Sequence, residues 1–310
     1  MTLVPDLTGT TTGEPLRIPG RSKRREWGIA LALLLPSLLV FGLFVFYPLG
    51  RTVWLGFFLQ DPFGLRREWV GLEQYRDVIT SSDFLNSLEV TALFTVYTVP
   101  TSLAAGLGLA VLAHQQLRGM RIFRTIFAST VATSVAVVSL LWLVLLQPSV
   151  GVFNQVLDSL GRDPVDLLGD PDTALLAVAA TTVWQNLGAA FIVTLAGLQS
   201  VPDELYESAR VDGHGAWSRF RHVTIPMLGP QLLFLSVVLT INAFQSFGQI
   251  DLLTEGGPEE STNVIVYSIV KTLPIDPGAA SAQAVVLFGI VLVLSFVQFR
   301  WLDRRVHYGS

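Results

Sequence analysis

The hydrophobic pattern of this chain consists of long apolar runs separated by polar segments. The hydrocarbon core of a bilayer is about 30 Å thick, and a helix of about 20 apolar residues crosses it. Six runs without a charged residue reach that length, so the pattern predicts an all-α membrane protein with six transmembrane helices. The runs are residues 27–47, 90–113, 126–146, 174–198, 228–250 and 279–299.

The composition agrees with this class. Hydrophobic residues make up 51% of the 310 residues, charged residues 14%, and the mean hydropathy is +0.55. A soluble domain carries about 25% charged residues. The chain has no cysteine, which excludes disulfides, thiolate metal sites and cysteine nucleophiles. We interpret the first run as a span and not as a cleaved signal, because a long polar leader precedes it and no small-x-small cleavage pattern follows.

The distribution of basic residues predicts the orientation. Most of the 20 Lys and Arg residues lie in the N-terminal segment, the second and fourth connections and the C-terminus, whereas the acidic residues favour the other side. Basic residues concentrate on the cytoplasmic side. We therefore expect a multi-pass protein of the cytoplasmic (inner) membrane with both termini in the cytoplasm. Its predicted parts are a disordered N-terminus (1–26), a six-helix domain (27–303) and a cytoplasmic tail (304–310).

One polar segment, residues 200–226, lies between the fourth and fifth runs and predicts two short helices. Ser200 is a candidate N-cap for the first helix. Asp212-Gly213 predicts its end, because glycine adopts the left-handed conformation that terminates helices. The second helix is expected to begin near Ala216 and to end at Pro226. A helix–turn–helix at the membrane surface has the form of a docking element.

Five residues of this segment, Glu207, Ala209, Asp212, Gly213 and Pro226, carry a resemblance to a known family. Their pattern is similar to the cytoplasmic EAA loop of ABC importer permeases, although Ser208, His214 and Ile225 depart from it. The resemblance implies a type I ABC importer permease fold whose loop couples to a groove on an ATPase. It also implies a second permease subunit, two copies of an ABC ATPase and an extracytoplasmic solute-binding protein as partners. ATP and Mg²⁺ would bind to the ATPase, and this chain would hold no cofactor.

Other segments resemble the sugar and sugar-phosphate branch of that family. The segment 254–258 is typical of the branch, and residues 61–64, 69–72, 280–286 and 297–300 are similar to permeases for glycerol-3-phosphate and glycerophosphodiesters. This implies a solute such as glycerol-3-phosphate or glycerophosphocholine. Permeases for trehalose or maltose share much of the same pattern. No basic residue lies in the candidate pathway to pair with a phosphate, so a disaccharide remains the alternative.

The residues offer little support for catalysis. The sequence contains no GxxxxGK phosphate loop, no Gly-x-Ser-x-Gly elbow and no paired metal ligands, and we predict neither a catalytic nor a metal site. We interpret the basic cluster 21–25 as an anchor to lipid headgroups, with no nucleic acid as a partner. An ion-coupled carrier is disfavoured because no span has an ionisable residue near its middle.

The spans contain uncharged polar residues instead. In the fifth run four of them recur at i, i+3, i+4 and i+7, which predicts one helical face, and two more lie at mid-depth in the fourth run. Amides are costly to bury without partners, so they should face another helix or a watery pathway. Both interpretations stay open, and a pathway would suit a hydroxylated solute. The residues are Asn242, Gln245, Ser246 and Gln249, with Gln185 and Asn186.

Overall fold

The structure is a computed structural model that describes residues 23–61, 67–115 and 119–303. Four described helices are each long and apolar enough to cross a membrane, and the number of candidate spans is six when each of two bent helix pairs counts as one span. The six-span prediction is confirmed. The predictions for residues 1–22, for most of the turn 61–64 and for the tail 304–310 lie outside the described residues.

The elements follow the predicted order, with one small departure from an all-α chain. That departure is an antiparallel hairpin of β1 (Phe58–Gln60) and β2 (Arg67–Trp69). The helices before the third span are α1 (Lys23–Phe41), α2 (Tyr47–Leu55), α3 (Glu73–Thr80) and α4 (Ser82–His114), with a π-helical turn at Gly42–Phe46. The next are α5 (Met120–Ser129), a 3₁₀ turn (Thr130–Ala132), α6 (Val135–Leu146), α7 (Val152–Ser159) and α8 (Pro171–Gln199).

The remaining helices form the polar loop and the last two spans. They are α9 (Asp203–Val211), α10 (Ala216–Arg219), α11 (Ile225–Met227), α12 (Gly229–Phe244), α13 (Gly248–Leu253), α14 (Ile265–Thr272) and α15 (Pro277–Asp303). The described chain divides into two compact units, up to Arg51 and from Thr52 onward. The first unit holds α1 and the start of α2, and the second holds all later elements.

The core of the second unit lies along α4 and α8, which pack closely over much of their length. Phe94 and Val178 are fully buried there, in one cluster with Ile250 of α13. Outside the spans, α14 packs on α4, and the Ile265 backbone N–H donates to Thr91 Oγ1 at 2.9 Å. The short helix is therefore anchored to the bundle by a buried polar contact.

The third span is not the continuous helix that the run 126–146 predicts. It bends by 108° between Ala132 and Val135. Thr133 has extended backbone, its Oγ1 donates to Thr130 O at 2.6 Å, and Ser134 Oγ accepts from Val137 N at 3.3 Å. Hydroxyl side chains that bond to nearby backbone groups compete with a continuing helix, and Ser134 caps the new one.

Candidate functional site

The polar loop begins with α9, which starts one residue after Pro202. The predicted N-cap at Ser200 is wrong: Ser200 ends α8, and its Oγ donates to Gly197 O at 2.7 Å. Pro202 occupies the N-cap position without a side-chain hydrogen bond, and Asp203 and Glu204 lie in the first turn. Negative side chains stabilise the positive end of the helix dipole there.

The turn between the two helices is locked by backbone hydrogen bonds. The His214 N–H donates to Ala209 O at 2.9 Å, and the Gly213 N–H donates to Arg210 O at 3.0 Å. These bonds form a Schellman motif, in which the residue after the C-cap takes a left-handed conformation. Gly213 has φ +81°, a value that glycine adopts without strain. The sequence prediction of a helix stop at Gly213 is confirmed.

The second helix continues through Pro226, which corrects the prediction that it ends there. After α10 a π-helical turn covers Phe220–Thr224, closed by the Ile225 N–H donating to Phe220 O. The chain then runs on through α11 to Met227 before bending 67° into α12. A proline ring clashes with the carbonyl four residues earlier in a regular helix, and the wider turn accommodates it.

The loop presents most of its predicted coupling residues to the surroundings. Glu207, Asp212, Gly213 and Pro226 are exposed, whereas Ala209 is buried. Within the described part of the chain, neither carboxylate forms an ion pair, so both are available to a basic partner. Of the five residues of the sequence pattern, four therefore lie at the surface and one, Ala209, packs inside the loop.

The two limbs of the loop are joined by side-chain contacts that the sequence did not indicate. Tyr206 Oη and Thr224 Oγ1 share a hydrogen bond of 3.2 Å. His214 Nδ1 lies 2.7 Å from Ser218 Oγ, which lies 3.3 Å from His222 Nδ1. His214, a departure from the family pattern, is thus tied to the second helix. An open pocket of about 350 Å³ lies between the limbs beside Ala209 and Pro226.

The polar residues of the fifth span do not share one helical face, and that prediction is wrong. Helix α12 ends at Phe244, residues 245–247 leave the helical path, and α13 begins at Gly248. A Cβ on Gly248 would lie 2.8 Å from Val135 Cγ1 of α6. The absence of a side chain at this position permits the close approach of α6 and α13.

The break brings two of the predicted pathway residues together. Gln249 Nε2 donates to Gln185 Oε1 at 2.7 Å, across 64 positions of sequence. Gln249 is buried and Gln185 is half-buried. Ser246 is buried with its Oγ unpaired, Asn186 is half-buried, and Asn242 and Gln245 are exposed. The set therefore consists of one interhelical pair, Gln185–Gln249, and four residues outside it.

Residues 102–308 match the family described as "Binding-protein-dependent transport system inner membrane component". The chain belongs to this family. Among curated relatives of this inner membrane component are two proteins named sn-glycerol-3-phosphate transport system permease protein UgpA. That of Agrobacterium fabrum is 35% identical, covering 89% of this chain and 95% of the relative. That of Pectobacterium atrosepticum is 33% identical, covering 92% and 97%.

Solved structures show the fold of this inner membrane component. A bacterial ABC transporter for import of the acidic polysaccharide alginate superposes with a TM-score of 0.78 at 24% identity, over 91% of this chain and 96% of that one. The alginate transporter in complex with an alginate pentasaccharide-bound periplasmic protein gives 0.80 at 23%, over 93% and 98%. The type I ABC importer permease fold, expected from the resemblance, is confirmed.

Helix α6, which packs against α13, carries polar groups that sequence reasoning missed. The indole of Trp142 packs edge-on against Trp184 at 6.2 Å, and its Nε1 is buried without a partner. Ser139 on the same helix also has an unpaired, buried hydroxyl. Phe247 stacks on Tyr267 at 5.9 Å, and burial, with Asp251 and Glu255, raises the pKa of that phenol. The sequence did contain a signal for these groups. Trp142 lies inside an apolar run, and the indole N–H of a buried tryptophan needs a hydrogen-bond acceptor.

The described residues also bear on metal and cofactor binding. Across residues 23–61, 67–115 and 119–303, no group of three His, Cys, Asp or Glu residues could hold a metal ion. The polar groups around the break are amides and hydroxyls, which act by hydrogen bonding. The arrangement provides hydrogen-bonding groups inside the bundle and exposed carboxylates on the loop.

Proposed function

We propose that this chain is the permease subunit that carries a sugar-phosphate or glycerophosphodiester solute, glycerol-3-phosphate or glycerophosphocholine, across the cytoplasmic membrane by alternating access. The family supplies the role of an ABC importer permease. Support for the solute comes from the glycerol-3-phosphate permeases that match over 89% of the chain or more. The observation that carries the mechanism is the loop 203–227, whose turn is closed by backbone hydrogen bonds and which leaves Glu207 exposed.

In the proposed assembly, ATP hydrolysis takes place on other subunits. Two copies of an ABC ATPase bind ATP and Mg²⁺, a second permease completes the pathway, and an extracytoplasmic binding protein delivers the solute. This chain contributes no ATPase site of its own, and membrane lipids surround its apolar surface. Both termini and the loop lie in the cytoplasm, as the distribution of basic residues favours.

The loop would transmit ATPase closure by a short structural route. Glu207 and Asp212 would pair with basic residues of the ATPase groove, and Gly213 would hold the turn that aims them. Leu228, fully buried, is the joint between α11 and α12. Movement of the loop would therefore tilt α12, which leads to the polar break at 245–247.

The pathway would be lined by Gln185, Asn186, Asn242, Gln245, Ser246 and Gln249. Amide and hydroxyl groups suit hydrogen bonding to a hydroxylated solute, and the exposed Asn242 and Gln245 are free to meet it or the second permease. None of these six residues is charged, an observation that favours a second candidate, a trehalose- or maltose-type solute. In the first case the binding protein would recognise the phosphate. An ion-coupled carrier is the least supported alternative.

The decisive experiment is solute-stimulated ATPase activity of the whole complex in proteoliposomes. Glycerophosphocholine, glycerol-3-phosphate, trehalose and maltose would each be offered with the binding protein. We expect stimulation by one of the first two. Stimulation by a disaccharide alone would replace the proposed solute, and solute movement by this chain without ATPase or nucleotide would refute the ABC mechanism.

A charge reversal tests the coupling role. Glu207→Arg is expected to abolish uptake while the chain still inserts, because the arginine would face a basic groove. The control is Asp158→Arg, an exposed acid on α7 outside the loop, which should leave uptake near wild type. Normal uptake by the Glu207→Arg variant would remove the loop's proposed role.

A further inference from the structure

An open pocket of about 510 Å³ lies between the β1–β2 hairpin, α3 and the start of α15. On the proposed topology this is the extracytoplasmic side. Its boundary combines carboxylates with apolar walls formed by Leu59, Val70 and Val78. The acids that line it are Glu68, Glu73, Asp77 and Asp276. Among the described residues none of these four carboxylates forms an ion pair, so all four are available to a cationic group.

Two buried amides at this pocket are also without partners. Gln74 is 6% exposed, and both its Nε2 and Oε1 lack a hydrogen bond. Gln283 is 8% exposed, and its Oε1 is unpaired. A buried polar group without a partner costs about 1–3 kcal/mol. Two such amides lining one pocket indicate that an occupant supplies the missing hydrogen bonds.

The backbone at the start of α15 shows how close these groups lie. A Cβ placed on Gly278 would be 2.8 Å from Gln74 Nε2 and 3.3 Å from Asp276 Oδ1. Asp276 Oδ1 also accepts from the Ala279 N–H at 2.9 Å, which caps α15. The amide and the capping carboxylate therefore meet at the first turn of the last transmembrane helix, where an occupant would contact that helix directly.

The residues that line the pocket fit some cationic groups better than others. A bare metal ion is disfavoured, because the described acids do not converge into a metal-binding group. The apolar walls suit an alkyl stem that leads to a cationic head near the acids. Gln74 Nε2 is a donor and needs an acceptor, which ammonium and guanidinium groups lack. A protein loop supplies both a basic side chain and backbone carbonyls.

We infer that this pocket receives a lysine or arginine side chain from a loop of the extracytoplasmic solute-binding protein. The inference rests on the proposed function, which supplies that partner and the outward orientation. The basic side chain lies along Leu59 and Val78, and its head pairs with Asp77 and Glu73. A backbone carbonyl of the same loop accepts from Gln74. Docking thereby joins the hairpin and α3 to the first turn of α15.

The test uses the complete importer in lipid nanodiscs and its purified binding protein, with affinity measured by biolayer interferometry. Asp77→Lys is expected to raise the Kd about tenfold, as loss of a close charge pair does. The matched control, Asp163→Lys, changes an exposed acid outside the pocket and should alter the Kd less than about twofold, as for a rim charge. Equal effects of both variants would overturn the inference, since they would reflect general surface charge.

A second variant separates docking from folding. Gln74→Leu removes the unpaired amide, so the thermal stability of the complex should hold or rise while affinity for the binding protein falls. A structural role alone would change these two measurements in the same direction. Unchanged affinity of both the Gln74→Leu and the Asp77→Lys complexes would overturn the inference. Loss of wild-type affinity on adding EDTA would do so as well, because it would make a metal ion the occupant.

Site occupancy can be read directly because the chain has no cysteine. In Glu68→Cys, at an exposed position that lines the pocket, an impermeant maleimide should react severalfold more slowly once the binding protein is docked. The same rate with and without it would count against the pocket. Failure of the wider proposal has a different signature: the wild-type complex would then neither retain an ATPase nor bind the binding protein.

Discussion

The polar loop and the break in the fifth span are both irregular segments, yet different forces hold them. The loop is fixed by its own backbone, with the bonds from His214 and Gly213 closing the turn. The break is fixed by other helices, through the contact of Gly248 with Val135 and the bond from Gln249 to Gln185. A self-held loop can move as one body against a partner. A segment held by its neighbours changes only when they do.

Gly213→Val tests whether the loop depends on its own backbone conformation, and we expect it to have the largest effect. A left-handed residue with a side chain costs about 1–2 kcal/mol, more for a β-branched one, and that corresponds to roughly a 5–30-fold loss of the competent loop. We expect solute-stimulated ATPase activity to fall by such a factor. Gly215→Val is the control, since Gly215 has φ −67° and no atom lies near its Cβ position. Equal losses from both substitutions would contradict the distinction.

Gln249→Leu tests whether contacts with other helices hold the break at 245–247. This substitution leaves the amide of Gln185 without its donor. The expected loss of stability is about 1–3 kcal/mol, measured as a lower midpoint of thermal unfolding. The double variant Gln185→Leu, Gln249→Leu should recover most of it, because both polar partners are then gone. Uptake should stay impaired in the double variant. Normal uptake by the double variant would show that Gln185 and Gln249 serve only in packing and not in the pathway.

A smaller effect is expected from Gly248→Ala. The added methyl would meet Val135 Cγ1, and overpacking of this kind costs at least about 1 kcal/mol. Adding Val135→Ala should relieve it. Gly108→Ala on α4 is the control, because no atom lies within 4 Å of its Cβ position, so better helix propensity should stabilise the protein. If Gly248→Ala were as well tolerated as Gly108→Ala, the helices would not be in tight contact there.

The smallest effect on stability is expected from Asn242→Leu. Asn242 is exposed on α12, and such substitutions change the free energy of unfolding by less than about 0.5 kcal/mol. Uptake should nevertheless fall if the residue lines the pathway. Unfolding and transport are measured on the same preparation. Wild-type transport rates would remove Asn242 from the proposed pathway.

The sequence predicted what depends on local chemistry. Apolar runs located all six spans, because lipid requires about 20 apolar residues whatever the neighbours are. The turn at Gly213 was also predictable, since its cause is one residue's backbone freedom. The Pro226 prediction was wrong because a π-helical turn, which no single residue specifies, made room for the ring.

The two breaks inside spans could not be placed from apolar content alone. In the third span Thr133 and Ser134 provided a signal, but hydroxyls also occur in continuous helices, where they bond back to their own turn. In the fifth span the departure at 245–247 is followed by the close approach of Gly248 to Val135, two residues that are far apart in sequence. The i, i+3, i+4, i+7 spacing therefore described a helix that packing interrupts.

In the proposed mechanism Leu228 would be the pivot about which α12 and its packed neighbours move. Helix α12 extends 16 residues beyond this buried joint, a length of about 24 Å at 1.5 Å per residue. A rotation of about 10° at Leu228 displaces the far end by about 4 Å, more than a water diameter, while the near end hardly shifts. On the proposed function, a small movement of the loop would therefore produce a larger displacement where Gln245 and Ser246 lie.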